Sequence, residues 1–168
     1  WGKNTIAIDA DFAGWYCDLV VDKGNGVHIA YYSSSSGDLK YAYLPTYNST
    51  PQTCTVDSYL STGTNIGITT QLESGKYVPY ISYYSSAFTQ TKYSVRTAWR
   101  KNFDSSTSVP DGVDNDAYTG KWEVMALPTD RVPLDYQIGV GIKQNAFSVD
   151  KPLLGYGTTD GLETATLK

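Results

Sequence analysis

Apolar residues in this chain alternate with polar ones or form runs of four to eight, and they do not recur at the three- and four-residue spacing of a helix. Leu39, Tyr41 and Tyr43, for example, alternate with Lys40, Ala42 and Leu44. The pattern predicts an all-β protein. Its first strands are predicted at Thr5–Asp9, Trp15–Asp22, Val27–Ser33 and Leu39–Leu44.

Turn residues separate these strands. Asn25-Gly26 is typical of a two-residue hairpin turn, in which both positions take a positive φ. Pro45 ends the fourth run. The later strands are predicted at Thr53–Asp57, Asn65–Leu72, Tyr77–Tyr84, Thr91–Trp99, Trp122–Leu127, Tyr136–Lys143, Pro152–Tyr156 and Leu162–Leu167.

The chain contains an internal repeat. The stretch His28–Ser34, which continues to Lys40-Tyr41, recurs 52 residues later as Tyr80–Ser86, which continues to Lys92-Tyr93. Thr53–Asp57 likewise parallels Thr5–Asp9, and a weaker third copy is Leu154-Gly155-Tyr156. A period of this size, with about four strands in each unit, is typical of the blades of a β-propeller. The predicted units are 1–48, 49–104 and 118–168, within a single repeat domain.

The strand His28-Ile-Ala-Tyr-Tyr, followed by Gly37-Asp-Leu-Lys-Tyr-Ala, resembles the repeat of secreted bacterial and archaeal propellers of the sialidase-like type. The resemblance implies about three four-stranded antiparallel blades. Three blades do not close a ring, which usually needs four to eight. A partial propeller, half of an oligomeric ring or a fragment of a longer propeller would therefore satisfy the pattern, and a β-sandwich is the alternative fold.

The composition of the chain argues against some classes of partner. The net charge of −4 and the scattered Lys and Arg residues argue against nucleic acid, and no apolar run is long enough to span a membrane. A sequence that starts at Trp1 indicates processing, cleavage from a longer precursor or an artificial boundary. The high content of Ser, Thr, Tyr and Gly favours an extracellular or cell-surface location. In that setting Cys17 and Cys54 are candidates for a disulfide, the other interpretation being two unpaired small core residues.

The long connection at 104–120 concentrates oxygen donors. Asp111, Asp114, Asn115 and Asp116 form a candidate Ca²⁺ site, although their spacing is not that of an EF-hand and a solvated turn explains the same composition.

Catalytic patterns are weak. A sialidase-like enzyme needs an arginine cluster, and the chain has only Arg96, Arg100 and Arg131. His28 lacks a nucleophile elbow beside it and is more typical of a packed strand residue. We therefore expect a non-catalytic binding or assembly module, whose partner is itself, another propeller fragment or a glycan. An enzyme fragment that needs missing blades and a structural subunit of a surface layer or filament are the alternatives. Candidate ligand-binding aromatic residues are Trp15, Tyr16, Tyr32 and Tyr84.

Overall fold

The computed structural model describes residues 5–10, 13–59, 61–73, 75–86, 93–100, 122–126, 139–145, 148–158 and 161–166. These residues form strands and turns without a helix, so the all-β prediction is confirmed. The strands are β1 (Ala13–Val21), β2 (Val27–Ser33), β3 (Asp38–Leu44), β4 (Gln52–Asp57), β5 (Ser61–Glu73), β6 (Lys76–Ser86), β7 (Tyr93–Trp99), β8 (Glu123–Ala126), β9 (Gly139–Asn145), β10 (Ser148–Thr158) and β11 (Gly161–Thr166).

The strands form three antiparallel meanders. The first sheet has the order β1-β2-β3-β4 and the second has the order β5-β6-β7-β8. The third sheet, in the order β11-β10-β9, has three strands in the described part of the chain. Within each sheet, every strand pairs with the next one in sequence. In the part of the chain that the structure describes, the three sheets are separate and not closed on one another.

One cross-strand row recurs in all three sheets. In the first sheet the row is Leu19–Ile29–Ala42, and in the second it is Ile68–Ile81–Ala98. In the third sheet the paired positions are Val140, Leu154 and Ala165. The faint third copy in the sequence therefore pairs in the same backbone register as the first two.

The core lies between the first and second sheets. The first sheet contributes Tyr41, Cys54 and Val56, and the second contributes Ile81 and Tyr83, all of them buried. Trp122, which precedes β8, is fully buried against Tyr41, with ring centroids 4.9 Å apart at a steep angle. These large side chains remove much apolar area from water, which is the main favourable contribution to packing the two sheets together.

The hairpin between β1 and β2 differs from the expected two-residue turn. Asn25 has a φ of 67°, but Gly26 does not take a positive φ. The loop instead runs from Asp22 to Gly26, closed by the hydrogen bond that Asp22 N donates to Gly26 O at 2.9 Å. The Asp22 side chain accepts hydrogen bonds from the backbone N–H groups of Gly24 and Gly26, and this local pairing competes successfully with the tighter turn.

Thr5–Asp9 is not a strand in the structure, and that prediction is wrong. The exposure of the segment still alternates, with Ile6 and Ile8 half-buried and Thr5 and Ala7 exposed. A strand is defined by its ladder, and within the described residues these positions have no strand beside them to pair with. The segment therefore has the periodicity of a strand without the hydrogen bonds of one.

Candidate functional site

The first sheet has two unlike faces. Its inner face packs on the second sheet, as described above. Its outer face carries Leu19 and Val21 of β1, together with their partners Ile29 and Val27 of β2. Leu19 is 58% exposed and Val21 is 55% exposed. Trp15, in the irregular start of β1, is 81% exposed. Clustered apolar side chains of this size on a surface are typical of an interaction site.

The equivalent row in the second sheet shows what such a face does when it is covered. Ile68 takes the place of Leu19 and is 6% exposed, and Ile81 takes the place of Ile29 and is fully buried. Both pack against the inner face of the first sheet. The outer face of the first sheet therefore presents the residues with which the second sheet makes its interface, and no sheet of the described residues lies across from them.

A pair of glycines supports this equivalence. Gly63 has a φ of +105°, and a Cβ there would lie 2.9 Å from Leu39 Cα of the first sheet. Gly14 follows the equivalent cross-strand pair in β1 and has a φ of +94°, yet a Cβ there would meet nothing within 4 Å. The glycine in β5 is needed for close approach to a neighbouring backbone. The glycine in β1 has the same backbone conformation facing open space.

An Asp–Tyr–cation cluster recurs beside this face. Asp57 Oδ2 accepts hydrogen bonds from the Tyr83 hydroxyl at 2.7 Å and from the Arg96 guanidinium at 2.8 Å. Asp57 Oδ1 accepts from the backbone N–H of Tyr59, whose ring also lies 5.0 Å from the Arg96 guanidinium. The cluster joins the chain that enters the second sheet to β6 and β7. Burial, and then the Asp57 charge, raise the pKa of Tyr83 well above its usual value.

The first sheet has the same cluster, with residues from before β1. Asp9 Oδ2 accepts hydrogen bonds from the Tyr31 hydroxyl at 2.9 Å and from Lys40 Nζ at 3.0 Å. Tyr31 pairs with Lys40 across β2 and β3, as Tyr83 pairs with Arg96 across β6 and β7. Asp9 therefore takes, on the outer face, the place that Asp57 takes at the interface of the first two sheets.

His28 lies in a buried network of the inner face. Its Nε2 is 3.0 Å from Asp22 Oδ2, and its Nδ1 is 2.7 Å from the Tyr41 hydroxyl. All partners are satisfied when Tyr41 donates to Nδ1 and Nε2–H donates to Asp22, which is the neutral imidazole. Burial lowers the pKa of His28 below 6.5 and outweighs the opposing effect of Asp22. Since His28 is fully buried, this arrangement stabilises the fold and does not face a substrate.

The four predicted ligand-binding aromatic residues do not form one surface. Tyr16 and Tyr32 meet edge to face, with ring centroids 6.2 Å apart, and the Tyr32 hydroxyl is 3.2 Å from Ser61 Oγ. Trp15 is the most exposed of the four, and Tyr84 is buried in the second sheet at 4% exposure. Glycan binding by these residues stays a prediction.

The predicted disulfide is not formed. Cys17 and Cys54 are both free thiols, the first exposed and the second buried. They lie in β1 and β4, at opposite edges of one sheet and on opposite faces of it, so their sulfur atoms cannot meet. Cys54 Sγ instead lies 3.4 Å from Trp122 Nε1, which donates to it. The alternative of two unpaired residues thus fits the core position of Cys54.

The predicted Ca²⁺ ligands Asp111, Asp114, Asn115 and Asp116 lie outside the described residues, and calcium binding stays a prediction. In the part of the chain that the structure describes, no group of three His, Cys, Asp or Glu side chains is arranged to hold a metal ion. That part also contains no helix long and apolar enough to cross a bilayer.

Sequence reasoning did not single out the outer-face residues Leu19, Val21, Ile29 and Gly14. These residues can be identified through the repeat, because each has a counterpart in the second unit and the burial of the two can be compared. Comparison of the chain with models of known protein families, with curated proteins and with solved structures found no match. The geometry of this face is therefore the basis of the functional argument that follows.

Proposed function

We propose that the chain is a non-catalytic, extracellular assembly module built from propeller-like blades, and that it binds a further β-sheet of the same repeat type on the outer face of its first sheet. The observation that carries the proposal is the contrast between Leu19, which is 58% exposed, and its counterpart Ile68, which is 6% exposed. The two residues occupy the same position in equivalent sheets.

The energetics favour a protein partner for this face. Full burial of a Leu, Val or Ile side chain contributes roughly 1.5–3 kcal/mol each. Leu19 and Val21 offer exposed apolar area whose burial would offset part of the entropy cost of association. A flat row of aliphatic side chains gives a sugar few hydrogen-bonding groups, and it matches the apolar face of another sheet.

The polar clusters of the described residues fit a structural role better than a catalytic one. His28 has both ring nitrogens within hydrogen-bonding distance of buried partners, and Arg96 is bound by Asp57. A sialidase-like enzyme would need arginines turned toward a substrate carboxylate.

Replacement of Leu19 by Ser tests the proposal, with Leu72→Ser as the matched control because Leu72 is 57% exposed and lies in the second sheet. Sedimentation velocity over a concentration series measures the association of each variant. We expect Leu19→Ser to raise the dissociation constant about ten- to a hundredfold, since it removes roughly 1.5–3 kcal/mol of burial. Leu72→Ser should leave it unchanged. Equal behaviour of the two variants would contradict the proposal.

A further inference from the structure

We infer that the sheet bound on the outer face is the third sheet of a second copy of this chain, and that residues 5–9 of the first copy add to that sheet as a fourth strand beside β11. This inference rests on the proposed function and names its partner. It assigns a role to two features of the described chain, a strand-like segment without a ladder and a three-stranded sheet among four-stranded ones.

The third sheet offers the place for a fourth strand. Leu154 pairs with Ala165 as Ile29 pairs with Ala42, so β11 stands in its sheet where β3 stands in the first sheet. In the first sheet β4 lies beyond β3 and completes the meander. In the described part of the third sheet β11 is the edge strand, and no described strand pairs with its outer row of backbone donors and acceptors.

Residues 5–9 have the properties of the missing strand. Asp57 closes β4 and binds Tyr83 and Arg96 of the sheet stacked on it. Asp9 closes the segment 5–9 and binds Tyr31 and Lys40 in the same way. The segment therefore lies against the first sheet as β4 lies against the second. Its alternating exposure is that of a strand already packed on one face.

One head-to-tail contact between two copies pairs the segment 5–9 of one copy with the edge strand β11 of the other. When the third sheet of a second copy lies on the outer face, its β11 comes beside residues 5–9, because β3 and β4 have this relation at the first interface. The contact joins unlike surfaces, so it leads either to a ring or to an open filament. Two copies with three sheets each would make a six-sheet ring, within the usual range of four to eight blades.

The repeat also fixes the register of the added strand. In the first sheet Ala42 pairs with Thr53 and Lys40 pairs with Thr55. The equivalent pairs between two copies join Ala165 to Thr5 and Glu163 to Ala7. Directly opposed residues of antiparallel strands have Cβ atoms about 4.5–5.5 Å apart, close enough for a disulfide after a small shift. Disulfide cross-linking between positions 5 and 165 of two copies therefore tests the predicted register.

The experiment mixes two full-length variants, Thr5→Cys and Ala165→Cys, each also carrying Cys17→Ser so that the exposed native thiol cannot react. After mild oxidation, a non-reducing gel measures the cross-linked product. We expect a covalent pair in the mixture and little product from either variant alone. Ile6→Cys mixed with Ala165→Cys is the matched control, since position 6 is one residue out of register and faces the other side.

Several results would overturn the inference. One is equal cross-linking from positions 5 and 6. Another is a double variant, Thr5→Cys with Ala165→Cys, that cross-links only within one chain while the mixture gives no product. A mixture without product, in a protein whose association is still weakened by Leu19→Ser, would refute the added strand and leave the proposed function standing. Loss of both effects would refute both.

Discussion

His28 is held neutral by its surroundings. The Tyr41 hydroxyl and the Asp22 carboxylate give it one donor and one acceptor, which suits an imidazole with a single proton. A second proton would place a charge in the core, and the Tyr41 hydroxyl would have to change from donor to acceptor at Nδ1. This residue was predicted as a packed strand histidine, and its full burial agrees with that interpretation.

The stability of the protein should therefore depend on pH through this residue. In the unfolded chain His28 titrates near 6.5, and burial lowers its pKa in the folded state. Between the two values the unfolded state binds more protons, so the free energy of unfolding falls as the pH drops below about 6.5. Chemical denaturation at pH 7.5 and pH 5.5 measures this difference. His28→Gln should reduce it, since the chain has a single His; an equal difference in the variant would contradict the account.

Gly63 and Gly14 provide a second test on single residues. Both have a positive φ, so Ala at either position is strained by about 1–2 kcal/mol. A Cβ at Gly63 would also press on the Leu39 backbone, 2.9 Å away. We expect Gly63→Ala to lower the free energy of unfolding by about 3 kcal/mol or more, and Gly14→Ala by about 1–2 kcal/mol. Denaturant unfolding of dilute protein measures both, and equal losses would show that the close approach at Gly63 is not needed.

The elements of this fold are joined by the Asp–Tyr–cation clusters. Each cluster connects the segment that leads into a sheet with the second and third strands of that sheet. It therefore fixes the position of that segment relative to the sheet. The Asp57 cluster lies at a filled interface and its carboxylate is 1% exposed. The Asp9 cluster lies at the open face, where both its carboxylate and Lys40 are 17% exposed.

Substitution by Asn should cost unequal amounts at the two clusters. Asp57→Asn replaces an acceptor of hydrogen bonds from Tyr83 and Arg96 by an amide, and leaves the Arg96 charge poorly paired. We expect a loss of about 2–4 kcal/mol in the free energy of unfolding. Asp9→Asn should cost about 1 kcal/mol or less, because water screens the more exposed pair. Urea denaturation of the two variants compares them, and a larger loss at Asp9 would contradict this ranking.

The strands themselves could be predicted from the sequence, because alternation is a local signal and the 52-residue repeat shows the same pattern twice. The form of the β1–β2 loop could not be predicted in this way. It depends on the Asp22 side chain, which accepts hydrogen bonds from backbone N–H groups within the loop. Thr5–Asp9 was predicted as a strand from its pattern, but a ladder needs a partner that the pattern does not supply.

The candidate site was less accessible to sequence reasoning. The sequences of β1 and β5 do not distinguish the two strands in burial, and only the structure shows that Leu19 is 58% exposed while its counterpart Ile68 is 6% exposed. Tyr84 was a candidate binding residue, but it is only 4% exposed. The sequence does not show which Tyr of a Tyr-Tyr pair is buried, because neighbouring residues of a strand lie on opposite faces. The sequence shows that Asp9 and Asp57 occupy equivalent positions in the repeat. Only the structure shows that they accept equivalent hydrogen bonds, from Tyr31 and Tyr83 respectively.

The described sheets follow one another in space as they do along the chain. The first strand of the second sheet, β5, contacts β1 of the first sheet, and the first strand of the third sheet, β9, contacts β5 of the second. This order of contacts is the reason for the proposal that a sheet of a second copy packs on the outer face of the first sheet.

The solution mass of the unmodified chain, measured by light scattering over a concentration series, tests this account most directly. A ring of two copies predicts a single species of about twice the chain mass of 18.4 kDa at high concentration. It also predicts dissociation in the Leu19→Ser variant. A monodisperse species of 18.4 kDa at all concentrations would contradict it, because the outer face would then stay uncovered in solution.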